Sequence, residues 1–315
     1  MKAVVYERYG GPEVLRLAEV PIPEPSPQQV LVEVVATSVN LSDWETLRGS
    51  PAYTRVAGLR APKRPILGSD IAGRVAKVGA EVTGFVPGDA VYGDNLMLRG
   101  GLAEFATLPE SALAHKPDAL SFAQASTIPQ AGAIADQGTA GLEAGMRWLI
   151  NGGGGGSGSF AIQLAKLAGA HVTAVDNTPK LSFMKSLGAD EVIDYTQTDF
   201  TRTQQRWDRI LDLVASRSAA SCRRAALTPT GRYLCVGGSV PSMLRVALAG
   251  LVTKGRTQVL AVHEGPTYFK AVTDLCVDGS LVIHIDREFG LDETPEALRH
   301  HGEGGALGKV VINVA

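Results

Sequence analysis

A glycine-rich turn carries the residues whose spacing points most directly to chemistry. In LINGGGGGSGSFAIQLAKLAGAHVTAVD the glycines follow the pattern Gly153-x-Gly155-x-x-Gly158, after an apolar run typical of a strand and before a helical pattern. Such small residues let the backbone approach a diphosphate, and the free amides of the helix start offset its charge. A flexible glycine linker is the alternative, but the flanking strand and helix favour a dinucleotide site. The predicted contacts are Gly153, Gly155, Gly156, Ser157 and Gly158.

An acidic residue closes the next predicted strand and bears on which dinucleotide binds. Asp176 follows the last glycine of the pattern at the usual distance, and its carboxylate could accept hydrogen bonds from both adenosine ribose hydroxyls, which favours NAD. Asn177, Lys180 and Tyr195 could instead surround the 2′-phosphate of NADP, with Lys180 as the point charge. Lys180 could equally be a solvated helix residue. The sequence leaves the cofactor open as NAD(P)H.

The elements that must position these residues fall into three stretches. Residues 1–118 show short strands such as QVLVEVVATSV separated by Gly and Pro, which predicts a mostly antiparallel β domain. Residues 119–263 alternate strands with helical segments, which predicts right-handed βαβ units and a doubly wound parallel sheet. Residues 264–315 read helix, strand, helix, strand and are too few to stand alone, so we expect them to complete the first domain. The fold class is α/β.

Six apolar runs are predicted as the strands of the parallel sheet. They are RWLING, HVTAVD, EVIDY, RILDLVA, RYLCVGG and QVLAVH. Between the first two, Phe160, Leu164 and Leu167 share one face of a predicted helix that Gly169 ends.

Composition excludes several classes of protein. The 315 residues are 45% hydrophobic and carry a net charge of -2, from 30 Lys and Arg against 32 Asp and Glu, which is typical of a two-domain globular chain without a basic surface for nucleic acid. The apolar runs are too short to span a membrane, and the start MKAVVYERYGG has no signal core, so we expect a cytoplasmic protein with no membrane partner. Cys222, Cys235 and Cys276 are too few for a disulfide framework or a cysteine-held metal.

In order along nearly the whole chain, several segments resemble the medium-chain dehydrogenase/reductase superfamily, in its zinc-independent, quinone oxidoreductase-like branch. They include MKAVVYERYGGPEVLRL, SVNLSDW, PILGSDIAGRVAKVG, PGDAVYG, GGLAEFATLP, the glycine-rich turn, SLGADEVIDY, TGRYLCVGG and GKVVINV. The resemblance implies a GroES-like β-rich domain made of both termini, a Rossmann domain between them, and a cofactor cleft where they meet.

The resemblance also decides between zinc-dependent and zinc-free chemistry. Zinc-dependent relatives hold the catalytic metal with a Cys at the position of Asn40, a His at the position of Ser69 and a later Cys or Asp. Asn40 and Ser69 are poor zinc ligands, so we expect no metal. Without a Lewis acid, oxidation of simple alcohols loses several kcal/mol of transition-state stabilisation. Reduction of a quinone or an α,β-unsaturated carbonyl stays accessible, because the conjugated oxygen takes up the charge of the hydride.

Residue roles follow from the same resemblance. Asn40 of the SVN motif is expected beside the nicotinamide, and Tyr53 is either the proton donor or a tyrosine of a surface loop. Trp44 could stack on a flat acceptor, although a tryptophan is more often core, and Asp70 is expected to hydrogen-bond within its own turn. Ser42, Asp43 and Ser69 fall on segments that shape the pocket in the family. The backbone expected against the nicotinamide carboxamide is that of Val236, Gly237 and Gly238.

A departure from the family pattern at Ile134, together with the unassigned proton donor, leaves a second function open. Ser157 replaces the usual valine of the glycine loop, and Ile134 replaces a threonine that contacts the cofactor. The first hypothesis is an NAD(P)H-dependent reductase of a small-molecule quinone or enone, and the alternative is a dinucleotide-binding sensor or structural protein with little turnover. The resemblance also implies a homodimer paired through the edge strand QVLAVH.

Overall fold

The computed structural model describes residues 1–55, 58–215 and 217–315. Within these ranges the strands are β1 (Lys2–Val5), β2 (Arg16–Glu19), β3 (Gln29–Val39), β4 (Asp70–Val78), β5 (Ala90–Asp94), β6 (Phe105–Pro109), β7 (Leu113–His115), β8 (Arg147–Asn151), β9 (His171–Asp176), β10 (Glu191–Asp194), β11 (Trp207–Asp212), β12 (Leu227–Cys235), β13 (Thr257–Val259), β14 (Ile285–Gly290) and β15 (Lys309–Asn313). The α-helices are α1 (Leu41–Arg48), α2 (Phe122–Ser126), α3 (Pro129–Thr139), α4 (Gly156–Leu167), α5 (Leu181–Ser186), α6 (Ala219–Ala226), α7 (Val240–Val252), α8 (Pro266–Val277) and α9 (Thr294–Gly302).

The chain divides by its contacts into two units. Unit 1 comprises Met1–Ala133 and Glu264–Ala315, and unit 2 comprises Ile134–His263. The sequence placed the first boundary at residue 119, whereas residues 119–133 lie with unit 1 by contacts. One reason is that α2 packs against β3, β4 and β5, which belong to the sheet of that unit. The functional assignment of the two domains stays a prediction.

Unit 1 is built on a seven-stranded sheet to which both ends of the chain contribute. The strand order is β14-β15-β3-β4-β5-β7, and β6 also pairs with β3. All pairs are antiparallel except β14 with β15. Val310 of β15 is opposite Val39 of β3, so the C-terminal segment contributes strands to this sheet. Val30, Val32 and Val34 alternate toward one face and form part of a buried apolar cluster.

Unit 2 is built on a six-stranded parallel sheet. Its strand order is β10-β9-β8-β11-β12-β13 and every pair is parallel. When the six strands of unit 2 are numbered 1 to 6 in chain order, their order across the sheet is 3-2-1-4-5-6, which is the Rossmann arrangement. The predicted α/β fold is therefore confirmed, and the six predicted strands are those observed. Trp148, Leu149 and Ile150 of β8 are fully buried, as expected of a central strand.

Helix α4 begins within the glycine pattern, and of the three apolar residues predicted to share a face only Phe160 is fully buried. It starts at Gly156, and its buried apolar residues are Phe160, Ala161, Ile162 and Ala165. Leu167, which shares a helix face with Phe160 and Leu164, is 54% exposed. Small residues at positions 161 and 165 allow close approach of the helix to β8 and β9, against which it packs.

No helix in the described ranges is long and apolar enough to cross a membrane.

Candidate functional site

The amino end of α4 lies directly after the central strand of the parallel sheet. The amides of Gly152 and Gly153 donate to the carbonyl of Val175, at 2.9 and 3.1 Å, which fixes the turn against β9. Gly152 has a φ of 91°, which favours glycine. The amides of Gly156, Ser157 and Gly158 make no hydrogen bond to the described part of the chain. Three free donors at the positive end of a helix dipole are an arrangement to which anions bind in proteins.

The three glycines of the motif differ in how much space surrounds them. A Cβ on Gly158 would lie 2.2 Å from the carbonyl oxygen of Gly152, and one on Gly153 would lie 2.9 Å from Met184 Sδ. A Cβ on Gly155 would meet only the oxygen of Gly152, at 3.7 Å. Gly153 and Gly158 are therefore required by the fold itself, whereas Gly155 borders open space that an approaching ligand could use.

Asp176 and Lys180 form a buried pair beside this turn. Asp176 Oδ2 accepts the amide of Gly154 at 3.0 Å, and its Oδ1 accepts the amide of Asn177 at 2.9 Å. Lys180 Nζ lies 3.6 Å from Asp176 Oδ1, and both residues are less than a tenth exposed. Lys180 is not a solvated helix residue. Because its ammonium neutralises Asp176, the carboxylate repels a neighbouring phosphate less than an unpaired one would.

The other two residues predicted around the adenosine ribose lie next to this pair. Asn177 follows β9 directly, and its carbonyl accepts the amide of Lys180. Tyr195 donates its amide to the carbonyl of Asp176 at 3.1 Å, and its side chain is 46% exposed. The structure therefore brings all four predicted residues to the carboxyl ends of β9 and β10.

A buried carboxylate organises the neighbouring strand ends. Asp212 Oδ1 accepts Asn151 Nδ2 at 2.8 Å and the amide of Ala215 at 2.7 Å, while its Oδ2 accepts the hydroxyl of Tyr233 at 2.7 Å. Burial, and then the charge of Asp212, raise the pKa of Tyr233. Asn151 ends β8 and Asp212 ends β11, so their hydrogen bond crosses the point where the strand order reverses, at which open α/β sheets bind ligands.

The loop after β12 continues this edge. Val236 donates its amide to the carbonyl of Asp212 at 2.9 Å. Gly237 and Gly238 have φ angles of 72° and 109°, which favour glycine. A Cβ on Gly237 would meet nothing within 4 Å, so the backbone here is open to a planar group. The predicted carboxamide contacts thus lie at the same sheet edge as the glycine turn.

In unit 1, Asn40 lies at the centre of a buried polar network. Its Nδ2 donates to Asp70 Oδ2 at 2.8 Å and to Ser69 Oγ at 3.2 Å, and its Oδ1 accepts Lys309 Nζ at 2.6 Å. Lys309 is 1% exposed, and its Nζ also lies 3.3 Å from Asp70 Oδ2. Both amide hydrogens of Asn40 are therefore used inside the protein.

Asp70 departs from its predicted role. Besides Asn40 and Lys309, its carboxylate accepts Ser38 Oγ at 2.8 Å and the amide of Gln130 at 3.0 Å. None of these donors belongs to the turn that precedes β4, so the expected hydrogen bond within its own turn is wrong. The partners come instead from β3, α3 and β15, because a buried carboxylate needs several donors and only distant segments supply them here.

Gln130 extends the network toward α1. Its Nε2 donates to Ser69 Oγ at 3.3 Å, and its Oε1 accepts Ser42 Oγ at 3.0 Å. Ser42 and Ser69, both predicted near the acceptor pocket, are thus linked through one amide side chain.

Asp94 is a second buried carboxyl group at this end of the sheet. It pairs directly opposite Asp70 in the β4–β5 register, and its Oδ1 has no hydrogen-bond partner among the described residues. Burial raises the pKa of Asp94 well above its usual value, and the charges of Asp70 and Glu264 add to that shift, while a hydrogen bond from Gln130 opposes it. Burial and the neighbouring carboxyl groups therefore favour the protonated form of Asp94.

Asp43 holds the start of α1 in place. Its Oδ2 accepts the amide of Asn40 at 3.0 Å, and its Oδ1 accepts the amide of Gly68 at 3.1 Å and Arg99 Nη1 at 3.0 Å. Burial raises the pKa of Asp43, and the Arg99 guanidinium offsets part of that shift. All these contacts are internal, so Asp43 positions Asn40 by fixing the helix that follows it.

Tyr53 lies in a short 3-10 turn, Ala52–Arg55. Its hydroxyl donates to Glu45 Oε2 at 3.1 Å. Burial raises the pKa of Glu45, and the Tyr53 hydroxyl opposes that shift. The half-buried Tyr53 hydroxyl is thus hydrogen-bonded to the Glu45 carboxyl group, whose pKa is raised.

Trp44 packs as a core residue. It joins the apolar cluster that includes Leu47, Leu298 and Val310. A Cβ added to Gly302 would lie 2.1 Å from Trp44 Cδ2, and the Arg48 guanidinium lies 5.4 Å from the ring centroid. Gly302 and Arg48 already contact the indole, which favours the core interpretation over stacking on an acceptor.

Comparison with known proteins decides the family. The description "Alcohol dehydrogenase GroES-like domain" matches residues 26–118 and "Zinc-binding dehydrogenase" matches residues 187–312. The chain is 35% identical to 2-methylene-furan-3-one reductase of Solanum lycopersicum, over 99% of this chain and 79% of that protein. The chain belongs to the medium-chain dehydrogenase/reductase family. It lies in the quinone oxidoreductase branch.

Two further relatives of this medium-chain dehydrogenase/reductase have similar coverage. An Arabidopsis thaliana protein described as "NADPH-dependent alkenal/one oxidoreductase, chloroplastic" is 33% identical over 99% of this chain and 79% of its own length. The solved structure of the quinone oxidoreductase from Coxiella burnetii has a TM-score of 0.89 and 30% identity, covering 100% of this chain and 99% of that one.

The two family positions that hold zinc in metal-dependent relatives contact each other here. Asn40 Nδ2 donates to Ser69 Oγ, and both side chains are bound into the Asp70 network. No group of three His, Cys, Asp or Glu residues in residues 1–55, 58–215 and 217–315 has the arrangement of a metal site.

Sequence reasoning missed several residues of these sites. Lys309 stands in GKVVINV, and the sequence does not distinguish a buried lysine from a surface lysine there. Gln130 was missed because its helix carries no polar pattern. Asp212 ends an apolar strand. The same signal identified Asp176 and could have identified Asp212.

Proposed function

We propose that this medium-chain dehydrogenase/reductase is an NAD(P)H-dependent reductase that transfers hydride to a quinone or an α,β-unsaturated carbonyl compound. The observation that carries the proposal is the amino end of α4, where three free amides follow the central strand of a parallel sheet. The names of the relatives, an alkenal/one oxidoreductase and a quinone oxidoreductase, support the acceptor class.

The residues of unit 2 fit a dinucleotide. The amides of Gly156, Ser157 and Gly158 would hold the diphosphate, with Gly155 allowing close approach and Gly153 closing the turn. Asp176, Asn177, Lys180 and Tyr195 would surround the adenosine ribose, and the backbone of Val236, Gly237 and Gly238 would contact the carboxamide. Bound there, the reduced nicotinamide supplies the hydride.

In unit 1, Asn40 and Tyr53 are proposed to act on the reacting groups. Lys309 fixes the orientation of the Asn40 amide. Asn40 would therefore accept a hydrogen bond through the second lone pair of Oδ1, and would not donate one. Reduction of an enone also needs one proton. The Tyr53 hydroxyl would turn from Glu45 Oε2 to the carbanion or enolate and give it its proton. Glu45, whose pKa is raised by burial, would then return a proton to the phenolate from its protonated form.

Zinc independence is part of the proposal, because Asn40 bonds to both Ser69 and Asp70. We further propose a cytoplasmic homodimer. The dimer is supported by β13, which forms one edge of the six-stranded sheet, where a second strand could pair. The acceptor is a small molecule, and the reaction needs neither nucleic acid nor a membrane.

The test is oxidation of NADPH and NADH by the purified protein with 1,4-benzoquinone or an enone, before and after treatment with EDTA. We expect turnover that EDTA leaves unchanged. The matched variant is Gly155→Ala, whose Cβ disturbs nothing within the protein but occupies the space of the diphosphate. It should keep the melting temperature of the parent and raise the KM for the cofactor about tenfold or more.

Other outcomes overturn the proposal. A loss of turnover after EDTA that zinc restores would contradict the zinc-free mechanism. Tight cofactor binding with no turnover across quinones and enones would favour the alternative, a dinucleotide-binding sensor. That alternative is favoured by one observation, the use of both Asn40 amide hydrogens inside the protein.

A further inference from the structure

A pocket of about 410 Å³ lies in unit 2 at the amino-terminal part of β12. Three arginines, Arg206, Arg223 and Arg256, line it together with Thr228 and Thr253. In a parallel sheet all amino ends lie at one edge and all carboxyl ends at the other. The pocket therefore lies at the opposite edge from Asp212, Gly237 and the glycine turn, and it is not part of the dinucleotide site.

The charge of this pocket is unbalanced. No acidic side chain lines it within the described residues, and none of its arginines is in an ion pair there. The sequence explains this, because residues 213–263 contain seven Arg and Lys residues and no Asp or Glu, in a chain with a net charge of -2. Placing three guanidinium groups around one pocket costs repulsion that an anionic ligand would relieve.

Two of the arginines are held by backbone carbonyls. Arg256 donates from Nε to Thr253 at 3.3 Å and from Nη1 to Pro229, and Arg206 donates from Nη1 to Gln205 at 2.9 Å. The Nη2 groups of both make no hydrogen bond within the described ranges. Since a guanidinium has five N–H donors in a fixed fork, these contacts orient it and leave donors for a ligand.

The carboxylate of Asp208, which bonds to the pocket residue Thr228, is already engaged. Asp208 Oδ1 accepts the Thr228 hydroxyl at 3.2 Å, and its Oδ2 accepts the amide of Arg147 at 2.9 Å. Asp208 forms no ion pair with the arginines of the pocket among the described residues.

We propose that this three-arginine pocket binds a phosphate group of a small phosphorylated compound or of a lipid head group. A phosphate ester carries up to two negative charges and three acceptor oxygens, which suits three guanidinium groups with free donors. Thr253 also connects the pocket to α7, where Leu244, Leu248 and Leu251 are more than half exposed. A vesicle is therefore included in the test as the second source of phosphate.

The experiment measures binding of inorganic phosphate and of glycerol phosphate to the full chain by calorimetry, and of vesicles by sedimentation. The vesicles contain phosphatidylcholine with or without phosphatidic acid. The variants Arg223→Gln and Arg256→Gln should each weaken binding about tenfold, and NADPH oxidation should not change. The control is Arg245→Gln, an exposed arginine of α7 that does not line the pocket. Arg206→Gln is a further variant in an exposed loop, and it should weaken binding by a similar factor.

The outcomes separate the sources of phosphate and the two sites. Saturable binding of soluble phosphate alone supports a metabolite, while binding only to vesicles that contain phosphatidic acid supports a lipid. Binding that the arginine variants leave unchanged, or that is lost in Gly155→Ala, would assign the phosphate to the glycine turn and overturn the proposal. Absence of saturable binding to every probe would also overturn it.

Discussion

The ammonium group of Lys309 lies 2.6 Å from the side-chain oxygen of Asn40, in a contact that joins residues 269 positions apart. The same ammonium lies 3.3 Å from Asp70 Oδ2. Lys309 therefore sets which way the Asn40 amide faces, because its oxygen must face the lysine and its nitrogen must face Asp70. The C-terminal strand thus orients a residue proposed to contact the nicotinamide.

The first prediction concerns the stability that this lysine provides. Lys309→Met leaves Asp70 buried without its cation, so the free energy of unfolding should fall by about 3–5 kcal/mol. Urea unfolding measures it. The control is Lys77→Met, which removes an ion pair with Glu24 that is largely exposed, and should cost less than about 1 kcal/mol. Adding Asp70→Asn to Lys309→Met should recover part of the loss, and a double variant as unstable as the single one would contradict this interpretation.

The second prediction separates the glycines of the turn by their surroundings. In Gly158→Ala the new Cβ would lie 2.2 Å from a backbone oxygen, so the turn must shift, and the free energy of unfolding should fall by about 1–3 kcal/mol. Cofactor affinity should fall as well. Gly155→Ala should lose affinity without losing stability. Thermal unfolding and cofactor titration measure the two properties, and equal stability of the two variants would show that the close contact at Gly158 is not required.

The third prediction concerns cofactor preference. Lys180→Gln leaves Asp176 without its counter-ion, so the carboxylate should repel the 2′-phosphate of NADPH more than the hydroxyl of NADH. The KM for NADPH should rise about tenfold more than the KM for NADH. Lys185→Gln on α5 is the control, because its side chain is exposed and bonds to the carbonyl of Asp190. Equal changes in both KM values would show that this pair does not govern the preference.

What the sequence predicts here follows from local patterns. Strand, turn and helix are predicted from the apolar runs from Trp148 to Asn151 and from Val172 to Asp176 and from the glycine spacing. Each of these signals lies within a few neighbouring residues. The contacts of Asp70 could not be predicted in this way, since its donors come from β3, α3 and β15. The same reason applies to the three-arginine pocket, whose members are spread over residues 206 to 256. The orientation of Trp44 depends on Gly302 and was equally hidden.

The last prediction concerns the pH dependence of stability at Asp94. An unfolded aspartate titrates near pH 3.9, and burial together with Asp70 and Glu264 raises the pKa of Asp94 well above that in the folded chain. The folded state therefore holds this proton more tightly, so the stabilisation is complete below the unfolded pKa and is lost as the pH rises through the folded pKa.

Asp94→Asn removes this titration and keeps a neutral side chain of the same shape. The variant should be more stable than the parent at neutral pH and similar to it in acid, so its stability should fall less steeply with rising pH. Some dependence should remain, because burial also raises the pKa of Asp43. Asp278→Asn is the control, and its effect on the pH dependence of stability should have the opposite sign, because hydrogen bonds from Ser280 lower the pKa of Asp278. Urea unfolding between acid and neutral pH measures both, and parallel curves for parent and Asp94→Asn would show that Asp94 is ionised in the folded protein.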